Sequence, residues 1–90
     1  AIVEYLKVIK IDPKHAEAHN NLGIIYDKVG KIPESRGAFE AAIGANPKLV
    51  DARFNLGLAM YKAGDTNQAL KMLEEVVQQW IKAQQAKPSA

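Results

Sequence analysis

Apolar residues recur along this chain at intervals of three and four, and glycine or proline interrupts them at regular points. Between residues 16 and 29, Leu22, Ile25, Tyr26 and Val29 fall on one side of a 3.6-residue spiral, which predicts a helix with one buried face. Gly30 follows directly, where a left-handed helix terminus favours glycine. Pro33 suits the first turn of a second helix, and Glu34 complements its positive end. That helix is expected to stop near Ala45, because Asn46 precedes Pro47 and the residue before a proline disfavours helical geometry. The plan then repeats. A helix over 50–63 is stopped by Gly64, and Asp65, Thr66 and Asn67 supply N-cap candidates for the next one. The last helix carries Ala69, Leu70, Leu73, Val76, Val77 and Trp80 as its apolar stripe; it is expected to reach about Ala86, with Pro88 closing it. The opening stretch, AIVEYLKVIKI, reads as part of one more helix.

The pattern is periodic at a larger scale as well. A shift of 34 aligns Pro13 with Pro47, Lys14 with Lys48, Ala18 with Ala52, Asn21 with Asn55 and Leu22-Gly23 with Leu56-Gly57. It also aligns Lys28 with Lys62, Gly30 with Gly64 and Glu40 with Glu74. Two antiparallel helices per unit cannot bury their faces alone, so consecutive units must stack. The fold class that follows is all-α, with about five helices in stacked antiparallel pairs.

Composition narrows the function. Ninety residues make one compact unit, and 48% hydrophobic with 24% charged is ordinary for a soluble globular chain. No run approaches the roughly 18 consecutive apolar residues of a spanning helix, so no membrane insertion is expected. Glu4, Lys7 and Lys10 break up the start, which is therefore not the apolar core of a signal peptide. The absence of cysteine excludes disulfides and thiolate metal sites. The net charge of +2 is spread along the chain and forms no basic stripe, so no nucleic-acid partner is expected. His15 and His19 share a four-residue spacing, but Ala16 follows the first of them and sequence places no third ligand, so no metal is expected. Ser35 and Ser89 have no histidine at a nucleophile–base spacing, and no glycine-rich phosphate loop occurs. Glu74 and Glu75 are adjacent in a helix and so diverge. No catalytic constellation emerges, and neither an enzyme nor a cofactor is expected.

The repeat resembles the tetratricopeptide family, whose pattern over 34 residues is W-x2-L-G-x2-Y, then A-x3-F, then P. The first full unit gives His19-x2-Leu22-Gly23-x2-Tyr26, Ser35-x3-Phe39 and Pro47. The second gives Arg53-x2-Leu56-Gly57-x2-Met60 and Ala69-x3-Leu73, and Ala1-x3-Tyr5 with Pro13 matches the second helix of a preceding unit. The resemblance implies a right-handed superhelical solenoid: residues 1–13 as the second helix of a truncated repeat, 16–47 as one repeat, and 50–86 as another with an extended C-terminal capping helix. This sequence departs from the pattern at His19 and Arg53, which replace a large apolar residue, and at Ser35, which replaces a small alanine. Gly37 and Gly44 sit inside a helix at a cost of about 1 kcal/mol each, and Ile81 stands where a terminal proline would fall. Trp80 is expected in the core of the cap, with Gln78, Gln79, Lys82, Gln84 and Gln85 on its wet outer face. Ile2, Tyr5, Val8 and Ile9 are expected to present apolar surface that favours self-association, as in a piece of a longer protein.

In the family, the first helices of successive units line a concave groove that receives a peptide or helix. Carried over, this implies a partner-binding surface of Glu17, Asn20, Asn21, Ile24 and Asp27 from one unit and Asp51, Phe54, Asn55, Leu58 and Tyr61 from the next. Asparagines suit a peptide backbone, and the apolar trio supplies anchoring. The family's clamp for acidic chaperone tails is not matched: with Asn55 as its central asparagine, Asn20 and Ile24 stand at its first Lys–Asn pair; with Asn21 as the central residue, Asp51 and Asn55 stand at its basic pair; and Glu17, Asp27 and Asp51 would repel a carboxylate. The function expected is a protein-interaction scaffold for a protein or peptide partner. Alternatives are an assembly module acting through self-association as a homo-oligomer, or an accessory arm of a larger enzyme. The default compartment is the cytoplasm; a periplasmic or organelle-surface setting fits the same sequence.

Overall fold

The computed structural model describes residues 2–86, so Ala1, Pro88 and Ser89 of the sequence reading lie outside the described residues. Five helices follow one another: α1 Ile2–Ile11, α2 Ala16–Lys28, α3 Ile32–Ala45, α4 Val50–Lys62 and α5 Thr66–Ala86. Their ends are set by local chemistry. His15 occupies the N-cap of α2 in extended backbone, and its Nδ1 accepts from the Ala18 N–H at 3.0 Å, satisfying one orphan donor of the first turn. Pro33 sits in the first turn of α3, where its missing N–H costs nothing. Gly30 and Gly64 turn the chain out of α2 and α4 at φ +84 and +94, a conformation that side chains with a Cβ adopt only with strain.

The most extensive packing joins α2 to α3 and α4 to α5, the two helix pairs; α3 then packs on α4, α1 on α2, and α2 on α4. Each pair closes through a glycine. A Cβ on Gly23 would lie 2.5 Å from the Phe39 ring, and one on Gly57 would lie 2.8 Å from Leu73. The leucine–glycine steps of the repeat are therefore contact points where a helix backbone meets an apolar side chain of its partner. Phe39, Leu56 and Ala59 form the central cluster, with Ile24, Ile43, Met60 and Met72 packed around it. Ser35 of α3 is fully buried. The small residues Ala18, Ala38, Ala42, Ala52 and Ala69 are also buried, which lets the helix backbones approach closely.

Three expectations from the sequence are revised. Val29 caps α2 and is exposed rather than part of its buried face. Trp80 is 59% exposed and lies outside the core; among the residues whose burial is described, Val76 is the last buried one of α5. On α1, Ile2, Tyr5 and Ile9 are half-buried, while Val3, Leu6 and Ile11 are exposed beside Val8 at the margin.

Candidate protein-binding site

α2 and α4 lie side by side as the first helices of the two units, and two polar contacts fix them to one another. Asn55 Nδ2 donates to Asn20 Oδ1 at 3.0 Å, and Lys62 Nζ donates to Asp27 Oδ2 at 2.7 Å. Both contacts join residues 35 apart, one more than the repeat length. Asn20 is buried, and Asn55 half-buried, so their bond forms in partial shelter from water and is stronger for it. Arg36 of α3 reaches forward to Asp65 at 2.8 Å, a third polar tie between the units. These ion pairs are partly exposed, so each contributes at most about 1 kcal/mol; their main effect is to fix register.

The ten groove residues expected from the sequence divide into three groups. Asn20, Asn55 and Asp27 hold the two helices together, and Asn20 has little surface left to offer a ligand. Ile24 and Asn21 are half-buried, and Glu17 and Asp51 are exposed in the first turns of α2 and α4. Phe54, Leu58 and Tyr61 form a continuous exposed row on α4 at i, i+4 and i+7, with Phe54 46% and Tyr61 60% exposed. An exposed phenylalanine, leucine and tyrosine in one row is an apolar anchor strip, bordered by the acidic Asp51 and by Lys62.

The histidines have local structural roles: His15 caps α2, and His19 Nε2 pairs with the Pro13 carbonyl oxygen at 2.9 Å. Among the described residues no group of three or more His, Cys, Asp or Glu side chains is arranged to hold a metal ion, and no helix is long and apolar enough to cross a membrane. A second apolar row lies exposed on α5: Leu70, Val77 and Trp80, which the sequence places in the apolar stripe of this helix, and Ile81, which stands where a terminal proline would fall. No signal in the sequence separates it from a buried face, since a 3.6-residue period states that a face is apolar and not what covers it.

Known proteins place this architecture. A family model described as TPR repeat matches residues 1–30, and one described as Tetratricopeptide repeat matches residues 22–86. No curated protein matches the chain. Among solved structures, one titled crystal structure of MamA is similar with a TM-score of 0.88 at 25% identity, covering 93% of this chain and 49% of that one. Another, titled crystal structure of MamA protein, gives a TM-score of 0.85 at 24% identity over 100% of this chain and 49% of that one. The chain thus spans about half the length of the structures it matches. The period of 34, the glycine-closed helix pairs and these matches agree: the chain belongs to the tetratricopeptide repeat family, helical-repeat modules that typically serve as protein-interaction scaffolds rather than enzymes.

Proposed function

We propose that the chain binds a peptide or helix of a protein partner across the face shared by α2 and α4, with Phe54, Leu58 and Tyr61 as the anchors. The observation that carries this reading is the exposed apolar row on α4, set on helices joined by the Asn20–Asn55 and Asp27–Lys62 contacts. Pairing Asn20 with Asn55 and Asp27 with Lys62 holds the α2–α4 face in shape before any ligand arrives, which lowers the ordering cost of binding. A partner segment with apolar residues at helical spacing covers the α4 row, and basic residues beside them meet Glu17 and Asp51.

Peptides selected from a displayed library on the intact chain provide the test. Phe54→Ala combined with Tyr61→Ala is expected to weaken the selected peptides by about tenfold or more, with the helical circular dichroism unchanged because both side chains are exposed. Equal affinity for the double variant and the original chain, with the helices intact, sinks the reading.

A further inference from the structure

The turns that open α2 and α4 are built alike, and only one of them carries histidine. Asp12-Pro13-Lys14-His15 leads into α2, and Asn46-Pro47-Lys48-Leu49 leads into α4. Asp12 Oδ1 accepts from the Lys14 N–H at 3.3 Å, and Asn46 Oδ1 accepts from the Lys48 N–H at 3.1 Å. The N-cap N–H closes each turn, His15 onto the Asp12 carbonyl at 3.1 Å and Leu49 onto the Asn46 carbonyl at 3.0 Å. Even the N-cap backbone coincides, with φ -78 and ψ 91 at His15 against φ -77 and ψ 89 at Leu49. The two differ in the next turn. The Ala18 N–H donates to His15 Nδ1 at 3.0 Å. The equivalent Ala52 N–H, with no N-cap side chain to receive it, falls back on the Leu49 carbonyl at 3.1 Å. One chain thus shows the same helix start in two states, capped and uncapped.

We propose that His15 is a proton-sensitive cap, which in acid gives up its bond and lets the start of α2 adopt the arrangement that α4 already has. An imidazole nitrogen accepts a hydrogen bond only through its lone pair, so the cap exists only while Nδ1 carries no proton. A proton there turns the acceptor into a donor aimed at an N–H, and sets a positive charge on the positive end of α2. Histidine side chains change charge between about pH 5 and 8. The cap's contribution is therefore present above that range and lost as the pH falls through it. His19, one turn further on, behaves differently. A carbonyl oxygen only accepts, so Nε2 donates to Pro13, and that bond survives protonation of the ring. The turn stays closed in both states, and only the cap responds. The charged groups on the segments packed around this end are Lys7 and Lys10 of α1, Asp12 and Lys14 of the turn, Glu17 of α2, Glu40 of α3, and Asp51 and Arg53 of α4. Among the described residues no carboxylate forms an ion pair with either imidazole. The second unit has Leu49 and Arg53 where the first has His15 and His19, and neither changes charge in this range. Acid thus acts on the start of α2 and spares the start of α4, whether or not a peptide binds the face between them.

Nitrogen-15 magnetic resonance of the histidine rings and urea titration of the intact chain test this. At pH 8 the His15 ring is expected to carry its proton on Nε2, leaving Nδ1 free to accept. His15→Leu, which copies the second unit at an exposed position, is expected to lower the folding constant about fivefold at pH 7.5 and to change it little at pH 5. His15→Asn, whose amide oxygen accepts at either pH, is expected to match the original chain at pH 7.5 and to exceed it about fivefold at pH 5. That gap is expected to persist in a His19→Arg background, because His19 keeps its bond in both states. A His15 ring protonated on Nδ1 at pH 8 overturns the proposal. So does a difference between the original and His15→Asn chains that is the same at both pH values, or one that vanishes with His19→Arg.

Discussion

At the scale of single residues, the same amino acid has opposite consequences in this chain depending on what lies above it. A methyl group on Gly23 runs into the Phe39 ring, and Phe39 is itself buried with no room to retreat. Gly23→Ala is therefore expected to destabilise the fold by about 1–3 kcal/mol in urea titrations. A methyl group on Gly37 meets nothing within 4 Å, so Gly37→Ala is expected to stabilise by roughly 1 kcal/mol through helix propensity alone. Ser35 gives a third case. Its hydroxyl is buried with no hydrogen-bond partner, so Ser35→Ala, which keeps the small volume and removes the stranded polar group, is expected to raise stability by about 1 kcal/mol. The closing glycines and the small buried position at Ser35 were legible in the sequence because the repeat places small residues there twice. The stranded hydroxyl was not, since whether a partner lies within reach depends on where neighbouring backbones come to rest.

At the scale of elements, helix identity and helix ends were largely legible, because they rest on local signals: Gly30 and Gly64 after two helices, Pro33 inside the start of another, Asn46-Pro47 past its end. Which side of each helix is covered was less so. Trp80 belongs to a strongly amphipathic pattern, and that pattern reads the same whether the cover is a core or a separate molecule. α5 makes the difference physical. From Val77 to Gln85 every side chain is exposed, so this half of the helix has few contacts within the chain. At low concentration of the chain, amides from Gln79 to Gln85 are expected to exchange with solvent on the order of a hundredfold faster than those from Ala38 to Ala42, as read by hydrogen exchange with nuclear magnetic resonance. Equal protection of the two stretches would show that α5 is held by contacts the structure does not contain.

At the scale of the whole molecule, the stack of helix pairs was legible from a shift of 34, but the candidate binding site was legible only as a set of positions. The period aligns Asn21 with Asn55, whereas the hydrogen bond joins Asn20 to Asn55; it aligns Lys28 with Lys62, whereas the ion pair joins Asp27 to Lys62. Self-comparison finds equivalent residues, and packing joins inequivalent ones. The face that anchors a ligand was therefore visible as Phe54, Leu58 and Tyr61, while the polar pairs that hold it in shape were not. The contacts at a separation of 35 also give the stack a direction. Were the two units to trade places, the positions now held by Asn20 and Asp27 would carry Phe54 and Tyr61, and these would press on Asn21 and Lys28. The amide–amide bond and the ion pair would both be lost, leaving a phenyl ring beside an amide and a phenol ring beside an ammonium. Units that look interchangeable by alignment are thus ordered like links with a hook and an eye: gene duplication can lengthen such an array, but shuffling it breaks every joint at once.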